Sequence, residues 1–168
     1  DEIPKILKQI NAKTIIDAPC GDFNWMKEVD LNDFQYIGID IVEELIVKNN
    51  SEYANGKRTF LVGDIVKDSI PTADLILCRD CFVHLSNKDV LRTIRNFKRS
   101  GSLYLLTTTF TKLETNKNLV SGRGWRPINL EIHPFNFPEP LKIINENCSE
   151  GDGIYSDKSL ALWKISLL

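Results

Sequence analysis

Five short apolar runs set the frame of this chain. They are Thr14–Asp17 (TIID), Tyr36–Ile41 (YIGIDI), Thr59–Val62 (TFLV), Asp74–Cys78 (DLILC) and Ser102–Thr108 (SLYLLTT). Each is too short for a helix and too continuously apolar for a strand with one wet face. Runs of this kind belong to strands covered on both sides, the usual condition of a parallel sheet. Helical patterns separate several of them. Ile3–Ile10 places Ile3, Ile6, Leu7 and Ile10 on one face. Val42–Lys48 opens with Glu43 and Glu44, where the helix dipole favours carboxylates. Ser86–Phe97 begins with Ser86 and has Asp89 three residues on, a capping-box-like start, and Gly101 suits a stop.

The C-terminal part reads differently. Leu141–Asn147 and Leu160–Leu167 are two further strands, and their connector SEGDGIYSDKS has no room for a helix. That pattern predicts an antiparallel hairpin at the sheet edge. The expected fold class is therefore α/β. It is a seven-stranded, mostly parallel, Rossmann-like sheet with helices on both faces and a C-terminal antiparallel hairpin. The 168 residues fit one domain spanning 1–168, with an insertion at about 109–140. The insertion lacks periodicity but carries Trp125, Phe135 and Phe137, so it reads as functional rather than disordered. The chain opens on Asp1, which leads us to expect that N-terminal residues precede it in the natural protein.

A formal net charge of −2 argues against a dominant nucleic-acid field. No apolar run reaches the ~18–20 residues of a membrane span, and no signal-peptide pattern opens the chain. Cys20, Cys78, Cys81 and Cys148 are too few for a disulfide-stapled domain, and three of them sit in or beside apolar runs. The expectation is a cytoplasmic protein acting on a small molecule, with no nucleic-acid or membrane partner; a homodimer fits this reading.

Ligands of open α/β sheets bind outside the carboxyl ends of the strands. Here those ends carry Asp17, Asp40, Asp64 and Arg79-Asp80. Asp40 lies 19 residues after Gly21, where a carboxylate can hold a ribose diol. Asp64 stands further along the same edge, where an adenine amino group could donate to it. The loop IIDAPCGDF has the single glycine Gly21, and Pro19 removes a donor, which disfavours a pyrophosphate ligand such as NAD or ATP. A strand-end aspartate alone is as readily a turn former or cap; three in succession point to a ligand edge.

These stretches resemble the motifs of class I S-adenosylmethionine-dependent methyltransferases. IIDAPCGDF resembles the first motif, IGIDI the second, VGDI the third, and DLILCRDCFVHL the fourth-strand segment. The motifs run from Lys13 to Phe110, and the strand order extends the likeness to the C-terminus. Pro19 and Phe23 stand where glycines are usual. The resemblance implies S-adenosyl-L-methionine as cofactor and S-adenosyl-L-homocysteine as product. It further implies that Asp17, Pro19, Cys20 and Gly21 face the methionine part, with Phe23 narrowing that end. Asp40 would hold the ribose with Ile41 on the adenine, and Asp64 the adenine amino group with Ile65 beside it. Cys78 and Arg79 would lie under the sulfonium.

Methyl transfer to a hydroxyl benefits from a base. Asp80 and His84 follow the fourth strand and are the two catalytic candidates. Against them, His84 could order a helix start and Asp80 could pair with Arg79. Trp125, Arg126, Asn129 and His133 in the insertion are the substrate-binding candidates. A lid with these residues suits a sugar or nucleotide-sugar, with Arg126 or Arg123 facing phosphate; alternatively its aromatics cover the sheet edge. The lone C-x-x-C at Cys78–Cys81 is a weak redox or zinc signal, and no metal is expected. The sequence thus reads as a methyltransferase, acting on oxygen by preference, with a non-catalytic cofactor-binding or partner subunit as the alternative.

Overall fold

The computed structural model describes residues 2–168. Seven strands form one sheet: β1 (Thr14–Asp17), β2 (Gln35–Asp40), β3 (Arg58–Val62), β4 (Leu75–Cys78), β5 (Tyr104–Phe110), β6 (Lys142–Asn145) and β7 (Lys158–Lys164). Their order is β3-β2-β1-β4-β5-β7-β6. The pairings among β1 to β5 are parallel, and β7 runs antiparallel to both β5 and β6. The order reverses between β1 and β4, so the carboxyl edge at that point is the topological switch where such sheets bind ligands.

Three helices cover the sheet: α1 (Glu2–Gln9), α2 (Glu43–Tyr53) and α3 (Asn87–Arg99). Successive residues of a strand face opposite sides. Ile15 therefore joins Ile6, Leu7 and Ile46 of α1 and α2 on one face. Ile16 joins Val90, Ile94 and Phe97 of α3 on the other. The connection from β1 to β2 holds only a 3₁₀ turn, Met26–Glu28.

Several element ends differ from the sequence expectation by a few residues, two of them for identifiable reasons. α2 continues to Tyr53 through Asn49 and Asn50, residues of modest helix propensity. Tertiary bonds outweigh that preference: Asn49 Nδ2 donates to the Gly21 carbonyl (2.8 Å) and Asn50 Nδ2 to the Phe60 carbonyl (2.9 Å). β7 starts at Lys158, two residues early, because it pairs with β5 as far as Phe110. At α3, Ser86 Oγ accepts from the Asp89 N–H (3.1 Å) and donates to Asp89 Oδ2 (3.0 Å). The capping motif read from the sequence is thus closed between side chains.

The insertion is a fixed cover over the α3 face. Ile128 and Leu130 are fully buried, Phe135 and Phe137 nearly so, and Phe137 packs edge-on to Trp163 at 5.3 Å. The Phe110 N–H donates to the Ile128 carbonyl (2.8 Å) and Trp163 Nε1 to the Pro138 carbonyl (2.7 Å). Among the described residues no helix is long and apolar enough to cross a membrane.

Candidate functional site

β1 delivers the chain through Ala18 and Pro19 to Gly21, which takes a left-handed conformation (φ +55°). A Cβ at Gly21 would meet nothing within 4 Å, so the backbone conformation rather than crowding calls for glycine, and the space beside the loop is open. Gly38 is different. A Cβ there would come within 2.6 Å of the Phe60 ring and 2.9 Å of Cys20 Sγ, so the loop rests directly on β2. Asp40 fixes the turn: its carboxylate accepts the Gly21 N–H (2.9 Å) and the Val42 N–H (3.0 Å). Two donors leave further lone pairs on those oxygens. Asp64 accepts the Val66 N–H (2.9 Å) and pairs with the Lys67 ammonium (2.7 Å).

Asp40 and Asp64 line one cleft of about 170 Å³, with Pro19, Ile41, Ile65 and Leu85 among its apolar walls. The Asp17 carboxyl lies beneath the loop, buried, and accepts the Tyr36 hydroxyl (2.8 Å). Burial pushes its pKa up to about 7; the Tyr36 bond opposes this and the charge of Asp40 adds to it. Burial, with Asp17 nearby, likewise raises the Tyr36 phenol and the Cys20 thiol.

Phe23 does not narrow this cleft. Its ring is fully buried on the opposite side, at 5.1–5.2 Å from Tyr36, Tyr53 and Phe60. A left-handed backbone (φ +59°) at Phe23 turns it inward, where an aromatic cluster offsets the strain. The Cys78 thiol is also enclosed, wholly inside the α3-side core.

A second cleft, of about 230 Å³, lies over the ends of β4, β5 and β7. Asp80, His84, Trp125, Cys148, Glu150, Tyr155 and Lys158 line it, with Phe110 as its floor. Asp80 takes a left-handed conformation (φ +52°), and its N–H donates to Thr108 Oγ1 (2.8 Å). Lys158 Nζ reaches both carboxylate oxygens of Asp80 (2.8 and 2.9 Å) and lies 3.5 Å from Glu146 Oε2. Arg79 Nε donates to Glu146 Oε1 (2.7 Å), and its guanidinium stands over the Trp25 ring at 5.1 Å. Burial works against both cations, but Glu146 lifts the Arg79 pKa, and Asp80 and Glu146 lift that of Lys158.

His84 follows Phe82 and Val83 in a 3₁₀ turn, and its Nδ1 lies 2.9 Å from the Gly124 carbonyl. A carbonyl only accepts, so Nδ1 carries the hydrogen and Nε2 of the neutral ring is left as an acceptor. The insertion holds this turn: Gly122 and Arg126 N–H groups donate to the His84 and Val83 carbonyls (3.0 and 3.1 Å).

Arg126 and Asn129 do not face a substrate. Arg126 is 6% exposed, and its guanidinium donates to the Lys117, Phe82 and Leu85 carbonyls and to Asn87 Oδ1. Among the described residues no carboxylate pairs with it, and burial lowers its pKa. Asn129 bridges the Leu113 carbonyl and the Glu131 N–H. His133 is exposed and lines neither cleft. Of the four insertion candidates, only Trp125 lines a cleft with Asp80 and His84. Glu146, Tyr155 and Lys158 escaped the sequence reading. The signal for Lys158 is its place at the start of an antiparallel strand, which falls at the carboxyl end of its neighbour β5. Among the described residues no three His, Cys, Asp or Glu side chains are grouped to hold a metal ion.

No family model matches the chain, and no curated protein matches it by sequence. Solved structures do match in three dimensions. Human N-acetylserotonin methyltransferase in complex with S-adenosylmethionine aligns with 92% of this chain at a TM-score of 0.67 and 14% identity. An S-adenosylmethionine-dependent methyltransferase from Clostridium acetobutylicum aligns with 96% at 0.66 and 12% identity, over 88% of its own length. TehB from Haemophilus influenzae aligns with 97% at 0.61 and 18% identity. This chain spans 48% of the human protein's length and 61% of TehB's. The chain has the fold of the class I S-adenosylmethionine-dependent methyltransferases.

Proposed function

We propose that this chain is an S-adenosylmethionine-dependent methyltransferase acting on a hydroxyl, or an amine, of a small molecule. One observation carries the reading. Asp40 and Asp64 share an apolar cleft at the switch point, and the turn from Asp80 to Leu85 walls both that cleft and the one containing His84. When bound, the cofactor supplies a methyl group activated by a sulfonium. The free lone pairs of Asp40 accept the ribose hydroxyls, and Ile41 and Ile65 flank the adenine. Asp64 accepts the adenine amino group. The open side of Gly21, with Pro19 and Cys20, leaves room for the methionine part. Arg79 precedes that turn, its charge tied to Glu146.

His84 is the base in this reading. Its Nε2 takes the acceptor's proton, while the Gly124 carbonyl holds Nδ1–H and stabilises the imidazolium that forms. Asp80 is engaged by Lys158 and serves to orient that wall. Trp125 lends the cleft a flat side, the one feature left from the carbohydrate expectation, since Arg126 and Asn129 are bonded elsewhere.

A second reading, a subunit that binds cofactor without catalysis, draws on the 3₁₀ turn after β1. A full helix there would offer its N-terminus to the methionine carboxylate. Kinetics separates the two. His84→Gln should lower kcat by about 100- to 10,000-fold while S-adenosylhomocysteine affinity, measured by calorimetry, stays within about twofold. Tight cofactor binding with no transfer to any hydroxyl or amine would favour the second reading; no cofactor binding would sink both.

A further inference from the structure

A third cleft adjoins the one containing His84. It is about 200 Å³ in volume and shares Phe110 and Tyr155 with its neighbour. Phe110, Trp125 and Tyr155 meet edge to face at 5.0–5.9 Å, so the dividing wall is aromatic on both sides. The two clefts differ in chemistry. The inner one holds His84, Asp80, Glu150 and Lys158. The outer one presents Leu113, Pro127, Tyr155 and Ile154, the last 70% exposed. Lys112, Ser156 and Asp157 complete its lining, and two of their polar groups are engaged: Asp157 Oδ2 accepts the Lys112 N–H (2.8 Å), and the Ser156 carbonyl accepts Asn145 Nδ2 (2.8 Å). An apolar ligand would cover side chains now left to water, Ile154 above all. A cavity of ~150 Å³ accommodates benzene, so this volume suits one aromatic ring.

The connector between β6 and β7 is shaped to build this wall. Gly151, Asp152 and Gly153 take successive left-handed conformations (φ 62°, 54° and 83°), a path two glycines make accessible. It leads directly into Ile154 and Tyr155.

We propose that the acceptor is an amphipathic, two-part molecule. Its hydroxyl or amine enters the inner cleft at His84, and an apolar ring lies in the outer cleft, selected by Ile154 and Tyr155. This rests on the methyltransferase reading, names the acceptor class of that site, and replaces the carbohydrate.

The test is saturation-transfer NMR on the protein with S-adenosylhomocysteine, using para-phenylphenol, phenol and methyl β-glucoside as probes. Para-phenylphenol should bind at least tenfold more tightly than phenol, and the glucoside should give no signal. Ile154→Asp, an exposed position of the outer cleft alone, should weaken para-phenylphenol by about tenfold and phenol by less than twofold, while Tyr155→Ala, whose ring lines both clefts, should weaken both. Equal affinity for phenol and para-phenylphenol, preference for the glucoside, or no effect of either variant would overturn the acceptor assignment. Calorimetry of S-adenosylhomocysteine on the same samples separates the two claims. Cofactor binding with any of these outcomes leaves the methyltransferase reading standing, while its absence removes both.

Discussion

The cleft with Asp40 takes its residues mainly from the ends of β1, β2 and β3, three neighbours joined in order. The cleft with His84 collects residues from the turn after β4, the end of β5, the insertion, the β6–β7 connector and the first residue of β7. The first is a local product of parallel strands, each of which ends at the same edge. The second depends on which distant segment the sheet brings alongside β5. The same contrast appears in their charges. Asp40 is held by the backbone N–H groups of Val42 and of Gly21, 19 residues away, whereas Asp80 is held by the Lys158 side chain, 78 residues away.

This contrast can be broken in several places. The largest effect is expected at Phe23, which the sequence assigns to the ligand and the structure to the core. Phe23→Ala should cost about 4 kcal/mol in urea denaturation, since it empties the space between Tyr36, Tyr53 and Phe60. A variant of unchanged stability that lost only cofactor affinity would return Phe23 to the ligand site. Arg126→Met comes next. It leaves the Lys117, Phe82 and Leu85 carbonyls without their donor and should cost about 3 kcal/mol. Thermal unfolding checks this, and an acceptor KM that rose with no loss of melting temperature would contradict it.

Asp17→Asn probes the buried carboxyl through pH. A pKa raised from 3.8 to about 7 means that the folded state holds its proton more tightly than the unfolded chain. Asp17 therefore favours folding below about pH 4, and that advantage is lost as pH rises through 7. Between pH 5 and 8 the loss should be about 2.5 kcal/mol, at 1.36 kcal/mol per unit. The asparagine keeps an acceptor for the Tyr36 hydroxyl and removes the slope. Its stability relative to wild type should rise by that amount over this range in denaturation curves, and a flat difference would refute the assignment. The smallest effect belongs to Lys158→Met. Arg79 still neutralises Glu146, so stability should fall by only about 1 kcal/mol, with the larger consequence in acceptor KM.

Much of the architecture could be read from residues. Unalternating runs such as LILC gave buried parallel strands, and the helix-poor connector gave the antiparallel closure that β6 and β7 form. The pairing of Asp40 with Asp64 in one cleft followed from the rule that parallel strands end on one edge. What could not be read was direction and reach. Whether Phe23 turns inward depends on one left-handed backbone angle. Arg126 reads as a phosphate ligand from composition, and only its contacts with three carbonyls reveal a structural tie. Lys158, Glu146 and Tyr155 act through neighbours far away in the chain, which local patterns do not encode.

The central claim is that Asp40 and Asp64 frame an adenosine site. A crystal structure with S-adenosylhomocysteine tests it most directly. The account predicts the ribose diol on Asp40, the adenine between Ile41 and Ile65 with its amino group on Asp64, and the homocysteine passing Gly21. Saturating ligand that leaves this cleft empty, or that settles in the cleft of His84, would contradict it.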